Sequence, residues 1–241
     1  MPKYEWVPES EWKPIRNELI ELIKSVQEAL RKEFTFQFEF IGSSRRNMIT
    51  RVAAGNSGYD FDVDFRVNLE KSEKKYSPKL LKEQFIKALN GVVGKYGYDF
   101  CEDSTTVITI KKKDKESSRI IYSCDIAIVR GDEEQGEAVE YILFNKRTKQ
   151  YQWTERSREY RGIEEKADAI KEAGSWDEVR SVYLDKKNRF SPGKKSRALY
   201  AETIKEVFDR LTRKPDPLQE FADYGLTKVV VVKNVVNGRK R

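Results

Sequence analysis

Two periods of apolar residues alternate along the first third of the chain. Over residues 9–33, Trp12, Ile15, Leu19, Leu22, Ile23, Val26 and Leu30 recur at the spacing of one helix face. This predicts a long amphipathic helix with Ser10 as its cap. The period then drops to two. In residues 34–40, FTFQFEF, every second residue is phenylalanine, the pattern of a strand with one buried face. Gly42-Ser43-Ser44 follows as a tight turn that opens a short helix, and residues 53–58, AAGNSG, read as a loop. A second alternating run, GYDFDVDFRV from Gly58, predicts a strand over about 59–69. Ser77 before Pro78 marks the start of a helix that ends near Gly94. Strands are expected over 105–113 and 119–130, joined by a charged turn, and a hairpin over 140–155. The pattern then becomes helical over 162–174, 175–188 and 194–214, until Pro215 and Pro217 end it. A last strand is expected at 226–236, followed by a basic tail, NGRKR.

This order of elements predicts an α+β protein. A mixed-sheet lobe, residues 1–158, carries the long N-terminal helix, and a smaller, mainly helical lobe, residues 159–241, carries the final strand and tail. There are no internal repeats. A cleft between two such lobes is a usual place for a small-molecule site. With 241 residues, 38% hydrophobic and 36% charged, the chain is long and apolar enough to bury a substantial core. No apolar run approaches the roughly 18–20 residues that span a bilayer. The N-terminus lacks the apolar stretch of a signal peptide, so a cytoplasmic protein without a membrane partner is expected. Two cysteines, Cys101 and Cys124, are too few for a disulfide framework or a zinc site.

The absence of histidine narrows the chemistry further. It removes imidazole bases, His-containing triads and His-ligated metals together. Catalysis would fall to carboxylates, lysines, hydroxyls or a metal held by oxygen. The net charge of +7, with basic runs at 71–75, 110–115 and 186–197, suits polyanions such as nucleotides or RNA, although each run also suits a solvated surface.

Asp60, Asp62 and Asp64 are the unusual feature. On a strand they share one face, while Phe61, Val63, Phe65 and Val67 face the core. A wet sheet face can display acids harmlessly. Two features argue for more: a Gly/Ser-rich loop precedes the run, and a lone acid, Asp125, stands in a second apolar strand, SCDIAIV. If the two strands are neighbours, three carboxylates converge, a donor set that a hard cation such as Mg²⁺ accepts. Two such ions could clamp a triphosphate and offset the repulsion among the acids. Gly42 would let backbone approach closely, and Ser43, Ser44, Arg45 and Arg46 could serve phosphate oxygens.

At these residues the sequence resembles the DNA polymerase β-type nucleotidyltransferase superfamily, in which a Gly-Ser motif precedes an Asp-x-Asp strand and a third acid follows on a later strand. It is most similar to the branch of cyclic GMP-AMP synthase, oligoadenylate synthetase and their bacterial relatives. DFDVDFRV and SCDIAIV resemble the two acidic strands of that branch, the N-terminal helix its spine helix, and EYILFNKRTKQYQWTE its hairpin. The resemblance implies that Gly42 and Ser43 hold triphosphate. It also implies that Asp60 and Asp62 bind Mg²⁺ or Mn²⁺, two ions in all, and that Asp125 positions or deprotonates the attacking hydroxyl. KKSRALY, residues 194–200, resembles the segment that offers Lys195 and Ser196 to phosphates, and Tyr200, Tyr183 or Trp153 could stack on the base. Asp64 departs from the pattern and leaves open a register in which Asp62 and Asp64 are the metal pair. The stretch from Gly42 to Asp60 is longer than the family's usual link, and the helical part is small for a cyclic-dinucleotide synthase.

The implied activity is transfer of a nucleoside monophosphate from an NTP, ATP by default, to a hydroxyl with release of pyrophosphate. The product would be a cyclic or linear oligonucleotide or a modified RNA. Two other readings remain open: a non-catalytic RNA- or nucleotide-binding module, and a transferase that modifies a protein or tRNA.

Overall fold

The computed structural model describes residues 3–54, 58–69, 76–131, 137–156 and 162–213. The basic run at 71–75, part of the 53–58 loop, Pro215, Pro217, the expected last strand and the basic tail lie outside them. Two compact units divide the chain, residues 1–157 and 158–241.

The first unit is built on helix α1 (Glu9–Leu30), whose Trp12, Leu19, Leu22, Ile23, Val26 and Leu30 are buried as the periodicity requires. Ser10 is not its cap. The helix starts one residue earlier, after Pro8, with no side chain capping it. Strand β1 (Tyr4–Trp6) precedes α1 and pairs with β3 (Thr50–Val52), a pairing of three residues each that alternation along the chain does not reveal.

The main sheet has seven strands among the described residues. Strand β2 (Thr35–Ile41) lies antiparallel to β4 (Tyr59–Asn68), and β4 lies parallel to β7 (Ile120–Arg130). Beyond β7 come β6 (Ile108–Lys113) and the short β5 (Glu102–Asp103). The hairpin of β8 (Glu140–Asn145) and β9 (Gln150–Glu155) joins through β8 to the end of β7. A parallel pair needs a crossover, and α3 (Pro78–Val92) supplies it between β4 and β7. Ser77 caps α3 as expected, its Oγ accepting from the Leu80 amide at 3.2 Å. Where β4 begins beside β7, a Cβ on Gly58 would lie 1.9 Å from the Ile121 carbonyl oxygen, so glycine is the residue that fits.

One face of the sheet carries the core. Phe36, Phe40, Phe61, Val63, Phe65 and Val67 pack there with α1 and α3. Phe85 of α3 is the hub, with ring centroids 5.3, 5.1 and 5.5 Å from those of Phe34, Phe36 and Phe65. The same helix buries a charge: Lys82 Nζ lies 2.6 Å from Asp103 Oδ1 and donates to the Ser104 carbonyl at 2.6 Å. Burial pulls its pKa down and Asp103 opposes that shift. This pair fastens α3 to the β5 edge.

In the second unit, α4 (Ile163–Glu172), α5 (Trp176–Phe190) and α6 (Ser196–Thr212) bury Ile163, Ala167, Ile170, Val179, Tyr183, Leu199, Tyr200, Ile204 and Val207. The structure is thus α+β, with a mixed sheet followed by helices, as the sequence pattern predicts. No helix among the described residues is long and apolar enough to cross a membrane.

The aromatic hub sets the scale of stability. Phe85→Ala is expected to lower the unfolding free energy by about 3–5 kcal/mol, against about 1 kcal/mol for Ser77→Ala, which removes a cap alone. Denaturant midpoints at unchanged slope measure both.

Candidate active site

The face of β4 opposite the core carries the acids, and strand register decides what they meet. Asp62 of β4 stands directly opposite Asp125 of β7, with Asp60 opposite Ser123 and Asp64 opposite Ala127. The other neighbour, β2, pairs Ile41 with Asp62 and ends there. The five-residue helix α2 (Gly42–Arg46) therefore begins against the Asp62 side chain. Gly42 has φ +61°, and a Cβ built on it would lie 3.0 Å from Asp62 Oδ2. Both facts favour glycine at this position, the first for conformation and the second for space.

Hydroxyls from three elements hold the acids in place. Ser44 is buried, and its Oγ accepts a hydrogen bond from the Asp62 backbone amide at 3.1 Å. Thr109 Oγ1 on β6 donates to Asp125 Oδ1 at 2.6 Å. Ser123 Oγ, two residues before Asp125, donates to Asp60 Oδ1.

Burial pushes the Asp62 carboxyl up to about 6, and Asp125, Asp60 and Asp64 add to the shift while Arg46 opposes it. Asp125 is also raised, first by burial and then by Asp60, against the Thr109 hydrogen bond and Lys111, which favour its ionised form. Asp60 lies exposed at the outer end of the row.

Asp64 is different. It is 6% exposed, and Arg156, just past the hairpin, grips it with two parallel bonds, Nη1 to Oδ2 at 2.5 Å and Nη2 to Oδ1 at 2.9 Å. Its charge is matched inside the protein.

Among the remaining candidates, Ser43 is partly exposed at the start of α2, and Arg45 is exposed and pairs with Glu39 at 3.0 Å. Lys195 and Ser196 stand exposed at the head of α6, in the second unit. Tyr183 and Tyr200 are buried in that unit, and Trp153 packs on the first unit's core with the Arg130 guanidinium 4.5 Å from its ring centre. Ser123, Thr109 and Arg156 are absent from the sequence-based expectations. The spacing of Ser123 from Asp125 could have identified it as sharing that face, whereas Thr109 needs the β6 register and Arg156 needs the tertiary fold.

Among the described residues, no three acidic or thiol side chains form a ready-made cluster for a metal ion. The chemistry of the donors nonetheless fits a hard divalent cation. Asp60, Asp62 and Asp125 offer oxygen alone from adjacent positions, and the charge of a cation would offset the repulsion and the cost of burial that raise Asp62 and Asp125.

A Gly-Ser turn leading from an edge strand, an acidic strand and a parallel strand with a facing acid make up the site's framework, and the chain shares its fold with solved structures of the bacterial enzyme DncV. The likeness is to the bacterial DncV branch. Vibrio cholerae DncV in its 3'-deoxy ATP-bound form superposes with a TM-score of 0.51 at 19% identity, over 85% of this chain and 54% of that one. The V. cholerae di-nucleotide cyclase in complex with GTP and 5MTHFGLU2 gives 0.53 at 17% identity, over 85% and 56%. Escherichia coli DncV in its 3'-deoxy GTP-bound form gives 0.50 at 18%, over 83% and 54%. The chain spans about half the length of these neighbours. No family model matches the sequence. No curated protein does either.

The raised Asp62 carboxyl has a sign that can be tested. Its folded value of about 6 exceeds the ordinary 3.8, so the folded state is penalised once the group ionises. The penalty is absent below about pH 4, grows towards pH 6 and is constant above. In metal-free buffer, Asp62→Asn is expected to be more stable than the parent by about 1–3 kcal/mol at pH 8 and equal to it near pH 4. Urea unfolding at the two pH values measures the difference.

Proposed function

We propose that the protein is a divalent-metal-dependent nucleotidyltransferase that moves a nucleoside monophosphate from an NTP to a hydroxyl acceptor and releases pyrophosphate. The observation that carries this reading is the register of β4 on β7, which sets Asp62 against Asp125 beside the Gly42–Ser43 turn. DNA polymerase β-type fold and oxygen-only donors point the same way.

In this reading Asp60, Asp62 and Asp125 hold Mg²⁺ or Mn²⁺, and Asp64, matched by Arg156, is not a ligand. Bound there, the ions supply charge neutralisation at the triphosphate and at the leaving pyrophosphate. The Gly42–Ser43 backbone and the Ser43 hydroxyl bind phosphate oxygens, since Gly42 leaves room for a close approach. Thr109 holds one oxygen of Asp125 and leaves the other to accept from the attacking hydroxyl. Ser44 fixes the Asp62 backbone from behind, so its role is support rather than phosphate contact. Lys195 and Ser196 are candidates for further phosphate contacts. Most of the rate would come from position and charge, because phosphoryl-type transfer asks little covalent help from the protein.

ATP is the first substrate to try, with GTP beside it, because the neighbouring structures hold 3'-deoxy ATP, GTP or 3'-deoxy GTP. One neighbour is a cyclic AMP-GMP synthase in complex with linear pppA(3',5')pG, which supports an oligonucleotide, cyclised or not, as product.

Incubation with each NTP and Mg²⁺ or Mn²⁺, followed by mass analysis, is expected to yield pyrophosphate and a nucleotide product, and EDTA to abolish both. Salt-dependent RNA binding without pyrophosphate release would identify a binding module instead. Asp62→Ala is expected to lower transfer at least about a thousandfold with an unchanged circular dichroism spectrum, and Gly42→Ala about a hundredfold. Full activity in Asp62→Ala would exclude the assignment.

A further inference from the structure

The acidic strand carries four charged side chains on one face, Asp60, Asp62, Asp64 and Arg66, and the last two are tied to distant backbone and side chains. Arg66 Nη1 donates to the Gly131 carbonyl at 2.6 Å. Asp64 is held by the Arg156 fork. Arg156 is itself placed by its backbone, the amide donating to the Val139 carbonyl at 2.8 Å. Ala127, the strand partner of Asp64, and Val139 belong to a small apolar cluster with Val129, Val107 and Tyr141. A carboxylate in such surroundings needs a partner of opposite charge, and a planar fork is the best match.

From this geometry we infer that Arg156 is a positioning residue that holds Asp64 out of the metal site and balances its charge, so that three carboxylates rather than four face the cation. The inference rests on the nucleotidyltransferase reading for its effect on rate, but not for its effect on cation binding. Arg156 touches no reacting atom in this scheme. Its action passes through Asp64, one strand repeat from Asp62 on the same face. Without Arg156 the Asp64 carboxylate adds its charge to the row and competes for the cation. Without Asp64 the row loses one negative charge while the guanidinium charge stays, and a cation is held less tightly. The two losses therefore have opposite signs, which a purely structural role would not produce.

Mn²⁺ binding by calorimetry tests this in four proteins: the parent, Arg156→Gln, Asp64→Asn and the double variant. Arg156→Gln is expected to tighten Mn²⁺ about fivefold and Asp64→Asn to weaken it about fivefold, while the double variant returns to within about twofold of the parent. In the transfer assay, Arg156→Gln is expected to lose about tenfold in kcat with little change in the KM for ATP, and the double variant to recover most of it. Weaker Mn²⁺ binding in both single variants, or no recovery in the double variant, overturns the inference. Should the single variants fold poorly, Arg156→Lys, which keeps the charge and loses the fork, is expected to bind Mn²⁺ like the parent, and a fivefold change there overturns the inference equally. A parent that binds Mn²⁺ in this pattern but transfers nothing leaves the charge balance standing and removes the enzymatic reading alone.

Discussion

Two carboxylates opposed across a parallel strand pair are the constraint on which the rest of this structure turns. Asp62 and Asp125 occupy matched positions on β4 and β7, where burial and like charge act together on Asp62. What holds them there is on the other side of the sheet. Phe61, Phe65, Cys124 and Ile126, which alternate with the acids, are buried against α1 and α3. Fully burying a single large apolar side chain is worth about 1.5–3 kcal/mol, so a few of them outweigh the electrostatic cost of the site. The core face stabilises the fold and the acidic face draws on that stability.

The hydroxyls and the arginine refine this balance. Ser123 and Thr109 each bind an oxygen of an acid, Ser44 binds the Asp62 backbone, and Arg156 matches the one acid that is most buried. Asp125 and Asp60 each have one oxygen bonded to a hydroxyl, whereas Asp64, deeper along the strand, has both of its oxygens engaged. Position along a single strand thus separates a row of like residues into different roles.

Much of this is legible in the sequence because a strand writes its two faces in alternate residues. DFDVDFRV and SCDIAIV reveal which side chains share a face, and Ser77-Pro78 reveals where α3 begins. Register is not written that way. That Asp125 faces Asp62 rather than Asp60 or Asp64 follows from the crossover through α3 and from Gly58, where two backbones close to a distance that excludes any side chain. Arg156 carries no local signal, since its partner is distant in sequence and it lies at the end of a hairpin among other charges. The β1–β3 pairing is hidden for a similar reason, because three residues are too few to show a period.

The division of labour between the two faces of β4 has an evolutionary consequence. Substitutions of Asp62 remove an electrostatic cost rather than a packing contact, so the fold can outlast changes on its acidic face.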